Sequence, residues 1–146
     1  MTARVRLTGV VPVALPPEEA FLLFTPSGER AWAEGWDPKF PTPADDETEP
    51  GTVFEVEHGG RRSTWVVAAC VPAKSITYAR VAVADRAGLV TVDCEASADG
   101  TTQATVTYDL TALSDEAQVA VHEFASNYTQ FLEHWRIAIA EATRHV

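Results

Sequence analysis

The chain is short of cysteine and of basic residues. Only Cys70 and Cys94 occur in 146 residues. Neither sits in a C-x-x-C pair and neither has a histidine at metal spacing, so nothing here points to a zinc site or a redox dithiol. Both are expected as small buried hydrophobes. Lys and Arg number 11 against 21 Asp and Glu, a formal net charge of −10. A surface that acidic repels nucleic-acid phosphates and anionic membranes, and no basic patch with interleaved aromatics offsets it. No nucleic-acid partner and no stable membrane association are expected. No apolar run is long enough to span a bilayer, and Met1-Thr2-Ala3-Arg4-Val5 lacks a signal-peptide core, so a cytoplasmic protein is expected. Catalytic signatures are missing as well. There is no G-x-S-x-G, no Cys paired with a placed His, no His/Asp metal set and no phosphate-cradling glycine loop. No metal and no cofactor are expected, and no internal repeat divides residues 1–146, which read as one domain.

What is present is a strong alternation of apolar and polar residues followed by a long helical run. From Ser114 to about Thr143 no Gly or Pro interrupts the chain. Ser114 stands at an N-cap position, and Asp115 and Glu116 fill the first turn, where negative charge suits the helix dipole. Ala117, Val121, Phe124, Tyr128, Phe131, Leu132, Trp135, Ala138, Ile139 and Ala142 form one wide apolar stripe. The spacing predicts a single long helix lying on something broad and apolar.

The preceding residues supply that surface. Val5, Leu7, Val11 and Val13 alternate with polar residues, with Gly9 in the inward series and Pro12 suited to an edge. Pro16-Pro17 stops this strand, and Pro17 opens a short helix over about 17–24. A second short helix is predicted over about 26–34. Residues 35–50 form a proline-rich loop whose Trp36 and Phe40 are expected to fold over an apolar surface, and whose acidic run 45–49 is read as solvated or as a contact for a partner.

A meander of strands follows. Gly59-Gly60 is a two-residue hairpin turn, so opposed residues are Phe54 with Trp65, Val56 with Ser63 and His58 with Arg61. After the turn at Val71-Pro72-Ala73-Lys74, a four-residue loop sets Trp65 against Arg80 and Val67 against Tyr78. The face carrying Ile76, Tyr78, Arg80 and Ala82 then points inward. Val90, Val92 and Cys94 face in from the next strand. Ala104, Val106, Tyr108 and Leu110 do so from the last, after a turn at Ala98-Asp99-Gly100. The result is an α+β design: one antiparallel sheet of about six strands, two short helices between strands one and two, and a long final helix.

Several segments carry a resemblance. Leu15-Pro16-Pro17-Glu18-Glu19-Ala20-Phe21 looks like the entry to the first helix of the helix-grip fold. Gly51-Thr52-Val53-Phe54 looks like its second-strand start. Trp65-Val66-Val67 followed by Pro72-Ala73-Lys74-Ser75-Ile76-Thr77-Tyr78 looks like its next hairpin. Phe131-Leu132-Glu133-His134-Trp135 falls where its last helix packs. The chain resembles the START/SRPBCC superfamily, which includes pollen-allergen-type proteins, lipid-transfer domains and polyketide cyclases. The resemblance implies a curved sheet gripping the final helix, with an apolar pocket between them. The candidate lining is Phe54, Trp65, Tyr78, Arg80, Val92, Tyr108, Phe124 and Tyr128, with Trp32 and Trp36 near the mouth; for each, core filling is the alternative.

Arg80 is the sharpest single signal, because an inward guanidinium must be paired, stacked on an aromatic face such as Trp65, or left for an anionic ligand. The alternative is that it reaches water. His58, His122 and His134 read as exposed, and His145 lies in a tail expected to fray. The reading is a small-molecule binding protein for an apolar, lipid-like or aromatic ligand. The alternatives are a polyketide cyclase/dehydratase-like enzyme using the same pocket, or a co-chaperone-like interaction protein working through its surface. The catalytic residues, if any, and the oligomeric state stay open.

Overall fold

The computed structural model describes residues 3–144. Six strands form one antiparallel sheet: β1 (Arg4–Val13), β2 (Val53–His58), β3 (Arg61–Val71), β4 (Ser75–Ala82), β5 (Arg86–Ala96) and β6 (Thr102–Ala112). Their spatial order is β1-β6-β5-β4-β3-β2, so the first strand closes against the last and β2 forms the other edge. Between β1 and β2 lie a short helix, α1 (Pro17–Leu22), and a 3₁₀ turn (Gly28–Ala31); after β6 come α2 (Asp115–Ser126) and α3 (Tyr128–Thr143). This is the expected α+β helix-grip architecture.

The first hairpin register follows from the turn residues. Gly59 and Gly60 adopt φ of 59° and 77°, the left-handed pair a type I′ turn requires, and Phe54 pairs with Trp65 and His58 with Arg61. Across β3 and β4, Trp65 lies opposite Arg80 and Val67 opposite Tyr78. That pairing does not follow from the turn, which is three residues and not the expected four, with Val71 opposite Ser75; a bulge between Val67 and Ala69 shifts the ladder by one residue. Val11, Phe54, Ile76, Val106 and Leu110 on the inner face are buried, whereas the outer face carries threonines and charges together with exposed Val10, Val53, Val81 and Leu89. Fully burying each such side chain contributes roughly 1.5–3 kcal/mol.

The final helical run departs from expectation. It is not one helix from Ser114 to Thr143: it breaks at Asn127, whose φ of −109° and ψ of 15° leave the helical well. The Asn127 side-chain amide donates to the Glu123 carbonyl at 2.9 Å, alongside its own backbone amide at 3.1 Å. The break divides the labour. The N-terminal piece, capped by the Ser114 hydroxyl accepting from the Ala117 amide at 3.1 Å, packs Ala117 and Val121 on Ala112 in a small separate core. The C-terminal piece lies across β1 and closes the main core with Leu132 and Ile139. It approaches so closely that a β-carbon at Gly9 would stand 2.5 Å from Leu132 Cδ1.

The two short elements are also shorter than expected. The first helix ends at Leu22 rather than 24, and the second is a single 3₁₀ turn rather than a helix over 26–34. Thr25 explains the tight path: its hydroxyl donates to the Leu22 carbonyl at 2.8 Å and accepts from the Gly28 amide at 3.1 Å. The loop after it folds down as its aromatics suggested. Trp36 meets Trp65 edge-on at 5.4 Å, and Phe40 lies 5.7 Å from Phe54. Within the acidic run, Glu47 is turned inward and accepts from the amide and hydroxyl of Ser27 at 2.8 and 2.6 Å. It therefore clamps the loop to the start of the 3₁₀ turn.

Candidate functional site

The sheet, α3 and the 3₁₀ turn line a half-open cavity of about 980 Å³. Eight of the ten expected residues line it: Trp32, Trp36, Trp65, Tyr78, Arg80, Val92, Tyr108 and Phe124. The other two lie behind the wall. Phe54 is completely buried, stacked on Trp65 at 5.9 Å and edge-on to Tyr78 at 5.8 Å. Tyr128 packs against Tyr108 and donates to the Val106 carbonyl at 2.6 Å, which anchors the start of α3 to the sheet.

Most polar edges of the lining aromatics are already occupied by the protein. Tyr78 donates to the Phe24 carbonyl at 2.7 Å, Trp32 Nε1 to the Leu23 carbonyl at 2.8 Å, and Trp36 Nε1 to the Pro26 carbonyl at 2.7 Å. The Tyr78 bond fastens the roof to the sheet, and the two tryptophan bonds tie the roof to itself. Burial pushes the Tyr78 hydroxyl far above the ordinary phenol range, so it stays protonated. Tyr108 is held protonated in the same way, with the charge of Glu29 adding to the effect and that of Arg80 opposing it.

Arg80 stands inside this aromatic wall. Its guanidinium carbon lies 5.0 Å from the Trp65 ring centroid, a cation–π contact, and its Nε is sealed from water with no acceptor. Burial lowers its pKa from the ordinary guanidinium value, although arginine at any working pH keeps its charge. The nearest built ion pairs leave it out. Asp85, itself buried at the cavity edge, takes Arg86 at 2.7 Å and Arg61 at 3.3 Å.

A second charged group was not singled out from the sequence. Glu29 lines the cavity from the 3₁₀ turn and is only 9% exposed. Burial alone raises its pKa well above the carboxylate range, and no described residue hydrogen-bonds its carboxyl. The signal was its spacing. In a 3₁₀ turn residues i and i+3 eclipse, so an inward Trp32 brings Glu29 inward with it. Phe131 and Trp135 complete the helix side of the cavity from the stripe already visible in the sequence. His58 and His134 sit at the rim with exposed side chains, and His122 is exposed on α2. His145 lies outside the described residues.

In chemical terms, among the described residues the buried wall offers ring faces, the Arg80 guanidinium, the Glu29 carboxyl and the Tyr108 phenol. It can hold an apolar skeleton and fix polar groups on it.

A family model described as polyketide cyclase / dehydrase and lipid transport matches residues 4–136. Among solved structures, the fold is similar to an uncharacterised protein from Rhizobium leguminosarum, with 18% identity, 97% of this chain and 99% of that one covered, and a TM-score of 0.64. It is also similar to the Aha1 dimer from Colwellia psychrerythraea, with 13% identity, 95% and 98% covered, and a TM-score of 0.65. CalU16 from Micromonospora echinospora shares 18% identity over 96% of this chain and 94% of its own, at a TM-score of 0.57. At these identities the likeness is one of fold. No curated protein matches the sequence.

Proposed function

Because the chain belongs to the polyketide cyclase / dehydrase and lipid transport family, we infer that it holds a small apolar ligand, aromatic or lipid-like, between the sheet and α3. The guanidinium of Arg80 fixes the ligand's anionic end. The observation that carries this reading is the unsatisfied Arg80 Nε inside an aromatic wall. A buried guanidinium without an acceptor is costly in the empty protein, and a ligand carboxylate, phenolate or enolate would relieve that cost. A solid core would have favoured the surface-acting alternative; a cavity of about 980 Å³ favours the interior.

Native mass spectrometry, before and after soaking with fatty acids, flavonoids and small aromatic polyketides, tests the reading. A discrete added mass that is lost on denaturation is the expected result, and no adduct under any condition refutes it. Arg80→Ala then tests the anchor. A charged hydrogen bond is worth roughly 1.5–3 kcal/mol, so anionic ligands should weaken by about 10- to 100-fold and neutral ones far less. Equal loss for both refutes the anchoring role.

An enzymatic reading, of the cyclase or dehydratase type, draws support from a different observation. Glu29 and Tyr108 put two proton-bearing groups inside the cavity. It requires that Glu29→Gln abolish turnover of a soaked aromatic polyketide while leaving its binding intact.

A further inference from the structure

Arg80 and Glu29 face one cavity, carry opposite formal charges, and do not pair with each other. Each is held in place by its own surroundings. Arg80 is stacked on Trp65. The backbone of Glu29 is fixed within the 3₁₀ turn, where its amide donates to the Thr25 carbonyl at 3.2 Å and its carbonyl accepts from the amides of Trp32 and Ala33 at 3.2 and 2.8 Å. Glu47 clamps the entry of the same turn through Ser27. The carboxyl therefore starts from a fixed backbone position at the cavity wall.

We propose that the Glu29 carboxyl is a second, hydrogen-bonding anchor. The cavity then selects ring-containing carboxylates or phenolates that carry a neutral carbonyl or hydroxyl oxygen away from their anionic end. The proposal deepens the ligand-holding reading above and rests on it. The chemistry follows from charge balance. A ligand anion on Arg80 leaves the interior neutral only if Glu29 keeps its proton, and burial favours that form. A protonated carboxyl has one O–H to donate and an oxygen to accept, so it recognises an uncharged oxygen function rather than an ammonium group. Tyr108 adds a phenol to the wall of the same cavity.

The test uses the full chain and its own fluorescence, because all four tryptophans line the cavity and report its occupancy. The probes are naphthoate, the positional isomers of hydroxynaphthoate, and an aminomethyl-substituted naphthoate. Each is titrated against the wild type, Glu29→Gln and Glu29→Met. At least one hydroxy isomer should bind about tenfold more tightly than naphthoate, the worth of one well-made hydrogen bond. That gain should persist in Glu29→Gln, which still donates, and vanish in Glu29→Met, with naphthoate itself unchanged.

The proposal is overturned if no isomer gains, if the gain survives in Glu29→Met, or if the aminomethyl probe binds most tightly. Binding of naphthoate without any hydroxyl gain removes the Glu29 anchor alone. Failure of every probe to perturb the tryptophans in any variant removes the ligand-holding reading as well.

Discussion

Replacing Glu29 by Gln should make the protein more stable at high pH and leave it nearly unchanged at low pH. The folded chain raises the Glu29 pKa above its unfolded value by burial. The stabilising consequence of that shift is therefore fully present below the unfolded pKa, about 4.3, and is lost as pH rises through the folded value. Gln carries no charge anywhere in this range and is nearly isosteric, so the two proteins should have similar stability in acid. As pH climbs, the wild type must either hold a proton that the unfolded chain has released or bury a carboxylate that no described residue hydrogen-bonds. Leaving a buried polar group unsatisfied costs about 1–3 kcal/mol, and more when it is charged. The gap between the variants should thus open to at least ~1 kcal/mol, about 4 °C in melting temperature for a chain of this size. Thermal or urea unfolding, followed by circular dichroism between roughly pH 4 and pH 9, reads it directly. Parallel pH–stability curves for wild type and Glu29→Gln would refute the burial argument, and would mean that water reaches the carboxyl freely.

Two packing predictions accompany it. Gly9→Ala should destabilise by ~1 kcal/mol, because its β-carbon would meet Leu132 Cδ1 at 2.5 Å and force that side chain out of its packed position. Adding Leu132→Ala should restore part of that loss in a double-mutant cycle, which a purely backbone effect of Gly9 would not allow. Tyr128→Phe removes the donor to the Val106 carbonyl and should cost ~1–2 kcal/mol in urea unfolding. Its ligand affinity should stay within about twofold of wild type, since the hydroxyl lies behind the cavity wall; a larger loss of binding would contradict that placement.

Much of the cavity wall was legible before any coordinates. Gly59-Gly60 sets one register, but the next turn is three residues, with Val71 paired to Ser75, and only the bulge between Val67 and Ala69 brings Arg80 opposite Trp65. Ser114 marks the helix start. What misled was local smoothness. No Gly or Pro marks Asn127, yet its backbone leaves the helical well and splits the helix. Phe54 and Tyr128 belong to the same inward series as Trp65 and Phe124, but they fill space behind the wall instead of lining it. Alternation assigns a side chain to a face and cannot say whether its neighbour across the gap is another side chain or empty volume.

The sequence by itself therefore determined the six strands, the register at Gly59-Gly60 and the inner face, because side-chain period and turn chemistry are local properties of the chain. Only the tertiary structure decided where the interior stays open, that Tyr78 and Tyr128 direct their hydroxyls at backbone carbonyls, and that Glu29 and Arg80 share one cavity. Those outcomes depend on the bend of the sheet and on how closely α3 approaches it. Both are set by contacts between residues far apart in the chain, and no local pattern records them.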